Sequence, residues 1–218
     1  MNIQESVQHA VKLHQAGQFA EAEALYRRAL AIFPNNAELM RLLATVLAQT
    51  ARHPQAVELF QQVLSLEPGS AEVFGNMGVS LIALGRLEDA AAAFQSAIAI
   101  EPNLAQAHNN LGLVLQSLRK PVEAMECFRR ALTIQPDFPE AYYNAGNLLG
   151  DSGRIEDAIG AFRQAIIRRP DYAEAIGNLG TAFAALGRRD EAVNAFRLTL
   201  IVRPNWEKAK EGLAAVLK

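Results

Sequence analysis

The chain predicts an all-α solenoid of stacked helix-turn-helix units, and three observations carry that prediction. Six prolines, Pro34, Pro68, Pro102, Pro136, Pro170 and Pro204, recur every 34 residues without a slip. With Ile3 as position 1, position 24 is aromatic in every unit (Tyr26, Phe60, Phe94, Phe128, Phe162, Phe196) and position 20 is always alanine (Ala22, Ala56, Ala90, Ala124, Ala158, Ala192). Within a unit the apolar residues keep the helical period rather than alternating. A fixed period of this length means one supersecondary unit stacked on its copies, because a lone unit cannot bury its apolar face.

The units begin at Ile3, Ala37, Ala71, Ala105, Pro139 and Ala173, and Glu207 to Lys218 forms a half unit. In each, a first helix is read from a face such as Phe74, Met77, Gly78, Leu81 and Leu84. A break follows at Gly17, Gly85, Gly153 and Gly187. The second helix is read from Ala90, Phe94, Ala97 and Ile98 and their equivalents. Position 8 is small throughout (Ala10, Ala44, Gly78, Gly112, Gly146, Gly180), which lets the two helices approach closely. Asn35, Gly69, Asn103, Asp137, Asp171 and Asn205 follow the periodic prolines and are expected as N-caps. Glu38, Gln106, Glu140 and Glu174 complete a capping-box variant three residues later. Pro54, Pro121 and Pro139 fall at helix starts, where the missing N–H costs nothing. The last segment reads as a solvating cap helix with Leu213, Ala214 and Leu217 on its apolar face.

On these residues the chain resembles the tetratricopeptide repeat, a 34-residue helix-turn-helix, over essentially its whole length. The resemblance implies a right-handed superhelical solenoid forming a single domain. Its six repeats would span 3–36, 37–70, 71–104, 105–138, 139–172 and 173–206, with a cap helix at 207–218.

Composition narrows the function. A net charge of -2, from 21 basic and 23 acidic residues intermixed along the chain, supplies no single-sign field for nucleic acid. No apolar run approaches the roughly 18 residues of a membrane span, and the N-terminus lacks the basic and apolar regions of a secretory leader. A cytoplasmic protein is the expectation. Cys127 is the only cysteine and reads as a packed thiol. His9, His14, His53 and His108 form no metal-ligand pattern, and no phosphate-binding or nucleophile motif is present. The expectation is a non-enzyme without cofactor or metal.

The informative polar signal is a second 34-residue series, Asn76, Asn110, Asn144 and Asn178, at position 6 of the last four units. That position lies off the packing face and is expected to line an inner groove. Asparagine is unfavourable inside a helix, so four in register need a compensating role, which a peptide backbone's donors and acceptors could supply. First helices stacked about 10 Å apart would meet an extended chain, rising about 3.3 Å per residue, at every third residue. The alternative is that these amides serve the repeat itself by bonding a neighbouring helix. Asn109, Tyr143, Asn147, Leu113, Val79 and Thr181 are expected to complete a largely uncharged groove for an extended protein or peptide partner.

The asparagine series resembles the ladder in the repeat region of O-GlcNAc transferases, which implies either a peptide-holding scaffold or the recognition arm of such an enzyme. It departs from the carboxylate-clamp type, which needs basic residues at positions 5 and 13; here position 5 holds Val7, Arg41, Gly75, Asn109, Tyr143 and Gly177, and position 13 holds Gln15, Gln49, Ala83, Ser117, Asp151 and Ala185. Arg27, Arg28, Arg129, Arg130, Arg168 and Arg169 are read as solvated outer charge. Incomplete capping at either end would permit self-association.

Overall fold

A computed structural model describes residues 3–218. Thirteen helices and no strand occur among the described residues. The first helices are α1 (Ile3–Gln15), α3 (Ala37–Gln49), α5 (Ala71–Ala83), α7 (Ala105–Ser117), α9 (Pro139–Asp151) and α11 (Ala173–Ala185). The second helices are α2 (Phe19–Ile32), α4 (His53–Leu66), α6 (Leu87–Ile100), α8 (Pro121–Ile134), α10 (Ile155–Arg168) and α12 (Arg189–Val202), and α13 (Glu207–Leu217) closes the chain. Every first helix starts at the residue that the proline period marks as position 1. The chain divides into two compact units, Met1–Val114 and Leu115–Lys218.

In the N-terminal unit the core joins Ala10, Ala22, Tyr26, Leu43, Ala44, Leu47, Phe60 and Val63. In the C-terminal unit it joins Ala158, Phe162, Leu179, Phe183, Ala192, Phe196 and Ala209. The same contact recurs in both. A Cβ on Gly78 would lie 2.8 Å from the Phe94 ring, one on Gly146 2.6 Å from Phe162, and one on Gly180 2.9 Å from Phe196. Small residues at position 8 thus let the position-24 ring lie flush on the first helix.

Each helix pair turns through position 15 with positive φ. Gly17, Gly85, Gly153 and Gly187 take this conformation at φ of 70 to 76°, and so do Ala51 at 59° and Arg119 at 60°. The turn is dictated by the fold, so the two L-residues carry strain that glycine would not.

Pro54, Pro121 and Pro139 sit in the first turns of α4, α8 and α9 as expected. The N-caps differ from expectation. They lie one residue later, at Asn36, Ser70, Phe138, Tyr172 and Trp206. Of these five, Asn36 and Ser70 cap with a side chain, accepting from the backbone N–H of Leu39 and Val73. The shift takes Glu38, Glu140 and Glu174 out of capping-box register. The cap helix also packs differently: Ala209, Leu213 and Val216 face the core, whereas Leu217 is 52% exposed, because a helix of only three turns rotates its face to fit Phe196.

Replacing Ala51 by glycine is expected to stabilise the chain by about 1 kcal/mol, the strain of a left-handed L-residue, read as a higher denaturant midpoint. Tyr26 differs from the other position-24 residues by a hydroxyl that is buried without a hydrogen-bond partner. Tyr26→Phe is therefore expected to leave stability unchanged or raise it by about 1 kcal/mol in urea unfolding, where a hydroxyl that served the fold would lower it.

Candidate functional site

In the N-terminal unit, Val79 and Leu113 are exposed on their first helices, at 48% and 37%, and Asn76 and Asn110 are half-buried. Gln106 Nε2 donates to Asn110 Oδ1 at 3.1 Å, one turn away within α7. Asn109 is only 2% exposed and lies in the packing, not on an open surface. The first-helix face here already carries its own ion pairs. Arg41 Nη1 reaches Glu72 Oε1 at 2.5 Å and Nη2 reaches Glu38 Oε1 at 2.7 Å. His14 Nε2 and Gln49 Oε1 are 2.7 Å apart. A cavity of about 490 Å³ on this face sets the paired His14, Gln49, Arg41 and Glu72 beside the apolar Val11 and Leu42.

The C-terminal unit brings Tyr143, Asn147, Asn178 and Thr181 together. Asn178 Nδ2 donates to Asn147 Oδ1 at 2.7 Å, joining α11 to α9, and lies 3.5 Å from the Tyr143 hydroxyl. The Asn147 amide N–H groups and the Asn178 carbonyl keep bonding capacity. Thr181 is exposed and its hydroxyl donates to the Gly177 carbonyl at 3.2 Å. Asn144 is 9% exposed, more enclosed than a groove-lining position requires. The space beside Gly177 is taken by the Trp206 ring, 3.3 Å from where a Cβ would stand.

Several residues missed at the sequence level belong to this face. Arg169 pairs with Glu140 and stacks over Tyr172, its Cζ 4.5 Å from the ring centroid. One repeat later Arg203 pairs with Glu174 at 2.7 Å and stacks over Trp206 at 4.9 Å. Each aromatic ring is thus held by a cation that is itself held by an acid. Arg168 likewise donates to the Pro136 carbonyl at 2.7 Å and lies 4.3 Å over the Tyr142 ring. Arg168 and Arg169 are therefore positioning residues, not solvated outer charge. The signal was available at position 34, which runs Asn36, Ser70, Leu104 and then Phe138, Tyr172 and Trp206, with arginine entering at position 31 in the last two of these units as Arg169 and Arg203.

Tyr172 stacks against Tyr143 with ring centroids 5.0 Å apart. Burial, with Tyr143 and Glu140 nearby, pushes its phenol up to about 12. A folded-state value above the ordinary 10 means that folding favours the protonated ring, so this contribution is full below pH 10 and is lost as pH rises toward 12. Ultraviolet titration of tyrosinate is expected to show a late transition near 12 that Tyr172→Phe removes.

Cys127 is half-buried, and burial followed by Glu126 and Glu123 pushes its thiol up, opposite to an activated nucleophile. Among the described residues no group of three His, Cys, Asp or Glu side chains could hold a metal, and no helix is long and apolar enough to cross a membrane.

Helical pairs stacked through a ring on a small residue define the class, a tetratricopeptide array. Tetratricopeptide repeat models match residues 13–75, 78–118, 105–138 and 143–208. The chain belongs to the tetratricopeptide repeat family. No curated protein matches it at a significant level. Among solved structures it is similar to PilW, a type IV pilus biogenesis factor, at 25% identity over 99% of this chain and 98% of that one, with a TM-score of 0.85. It shares the fold of Pseudomonas aeruginosa PilF at 22% identity over 98% and 97% of the two chains, TM-score 0.83. It also shares that of YrrB, described as having an unusual peptide-binding site, at 20% identity over 85% and 96%, TM-score 0.68.

Proposed function

We propose that this protein is a non-enzymatic, cytoplasmic interaction scaffold whose six repeats and cap serve as one binding domain. It holds an extended protein segment against its first helices. The observation that carries this reading is the Asn178–Asn147 amide pair, which joins adjacent first helices and keeps unused donors and an acceptor at half-buried positions. Such groups match a peptide backbone, and Tyr143 and Thr181 beside them add an uncharged lining for side chains. Asn76 and Asn110 offer the same chemistry in the N-terminal unit, with Val79 and Leu113 as exposed apolar neighbours. Assembly work of the kind named for PilW is compatible with a binding array that has no reaction centre.

The test is affinity capture from source-cell lysate, comparing the wild type with an Asn147→Ala, Asn178→Ala double variant. Specific partners are expected to fall about tenfold or more, a loss of roughly 1.4 kcal/mol, while the helical circular dichroism stays unchanged. Equal capture by both proteins would assign these amides to the repeat's architecture.

A further inference from the structure

The cap helix breaks a charge rule that the rest of the chain keeps. Position 2 of the first helices runs Gln4, Glu38, Glu72, Gln106, Glu140, Glu174 and then Lys208. Every glutamate in that series is answered by an arginine: Arg41 serves Glu38 and Glu72, Arg169 serves Glu140, and Arg203 serves Glu174. Lys208 is exposed and makes no ion pair, and its neighbour Glu207 is taken by Lys210 at 2.8 Å. The second residue of a helix is also where the dipole disfavours a cation, so Lys208 costs its own helix stability.

What Lys208 borders is a small cavity of about 50 Å³ lined by Gly177, Asn178, Thr181, Trp206 and Lys208. A water's share of liquid is roughly 30 Å³, so the space suits one compact head group. Its walls are mostly apolar, the Phe196 ring and an indole held by Arg203, with an amide, a hydroxyl and one uncompensated positive charge beside them. The Trp206 ring packs on the bare backbone of Gly177, 3.3 Å from where a Cβ would stand, and forms one side of the cavity.

We propose that this cavity is a subsite for one acidic side chain of the extended partner segment, with Lys208 as its counter-charge. This rests on the scaffold reading above and specifies the partner's chemistry. A single unpaired cation matches a single carboxylate. Positions 5 and 13 of the same repeat are Gly177 and Ala185, so no second basic group is offered for the additional carboxylate of an acidic chain terminus.

The experiment uses the full chain on an array of random 12-residue peptides with amidated C-termini, with the wild type compared with Lys208→Glu and with Asn147→Ala, Asn178→Ala. The wild type is expected to enrich Asp and Glu among its ligands. Lys208→Glu should bind those peptides about tenfold more weakly, and exchanging the peptide's acid for lysine should restore binding to that variant. A melting temperature for Lys208→Glu at or above the wild type separates lost binding from lost folding. Loss of binding in the asparagine variant with unchanged binding by Lys208→Glu would overturn the acidic subsite and leave the scaffold reading standing. Binding only to peptides with a free C-terminal carboxylate would overturn it in favour of chain-end capture. A wild type that holds no peptide would overturn both.

Discussion

The contact of an aromatic ring with a residue that has almost no side chain is the constraint on which this chain depends. Phe94 on Gly78, Phe162 on Gly146 and Phe196 on Gly180 set how closely the two helices of a repeat approach. Phe196 does more, because a Cβ on Gly212 of the cap helix would lie 2.6 Å from the same ring. One side chain therefore fixes both the pairing inside its repeat and the seating of the helix that follows. A ring that serves two interfaces cannot change size without disturbing both, which accounts for the persistence of an aromatic residue at this position. Where position 8 is alanine, as at Ala10 and Ala44, the partner rings Tyr26 and Phe60 are still fully buried, so a methyl group is accommodated there.

This contact was legible in the sequence because it depends on residue size at a fixed spacing. The helix starts were legible for the same reason, since proline acts locally on the backbone. The N-caps were misplaced by one residue because Asn35 and Asn36 are both competent caps and only the turn geometry chooses between them. The burial of Asn109 and Asn144 was not legible either. Positions 5 and 6 lie at the margin between the packed and open faces of the helix, where a small rotation decides exposure. The arginine, aromatic and acid triads were hidden for a different reason. Arg169 and Glu140 are 29 residues apart, and a periodic reading compares each position with its own copies rather than with other positions.

The two units carry different chemistry on the same repeated scaffold. On the first-helix face of the N-terminal unit, Arg41 already engages two glutamates, and His14 engages Gln49. A charged ligand there must compete with hydrogen-bonded pairs whose glutamates are exposed, so part of its already modest gain is offset. In the C-terminal unit the corresponding acids are drawn toward arginines that stack on Tyr172 and Trp206. That arrangement removes acid from the surface beside the asparagines and fixes the rings in place, leaving amides, a hydroxyl and ring faces for a ligand.

Those amides alone could supply only modest affinity. Exchanging water for an amide partner gains about 1 kcal/mol net, and Asn178 already spends one N–H on Asn147, so a backbone ladder of this kind sets register more than strength. Strength has to come from apolar area and from any charge that is not already paired. Tyr143, Tyr172 and Trp206 supply the first, held in place before a ligand arrives, which spares the ordering cost that flexible rings would incur. In the scaffold we propose, the amides would align a bound backbone while the immobilised rings at the repeat junctions select its side chains. A ligand satisfying only one of these would bind either in many registers or in the right register too weakly, so the proposed recognition requires both.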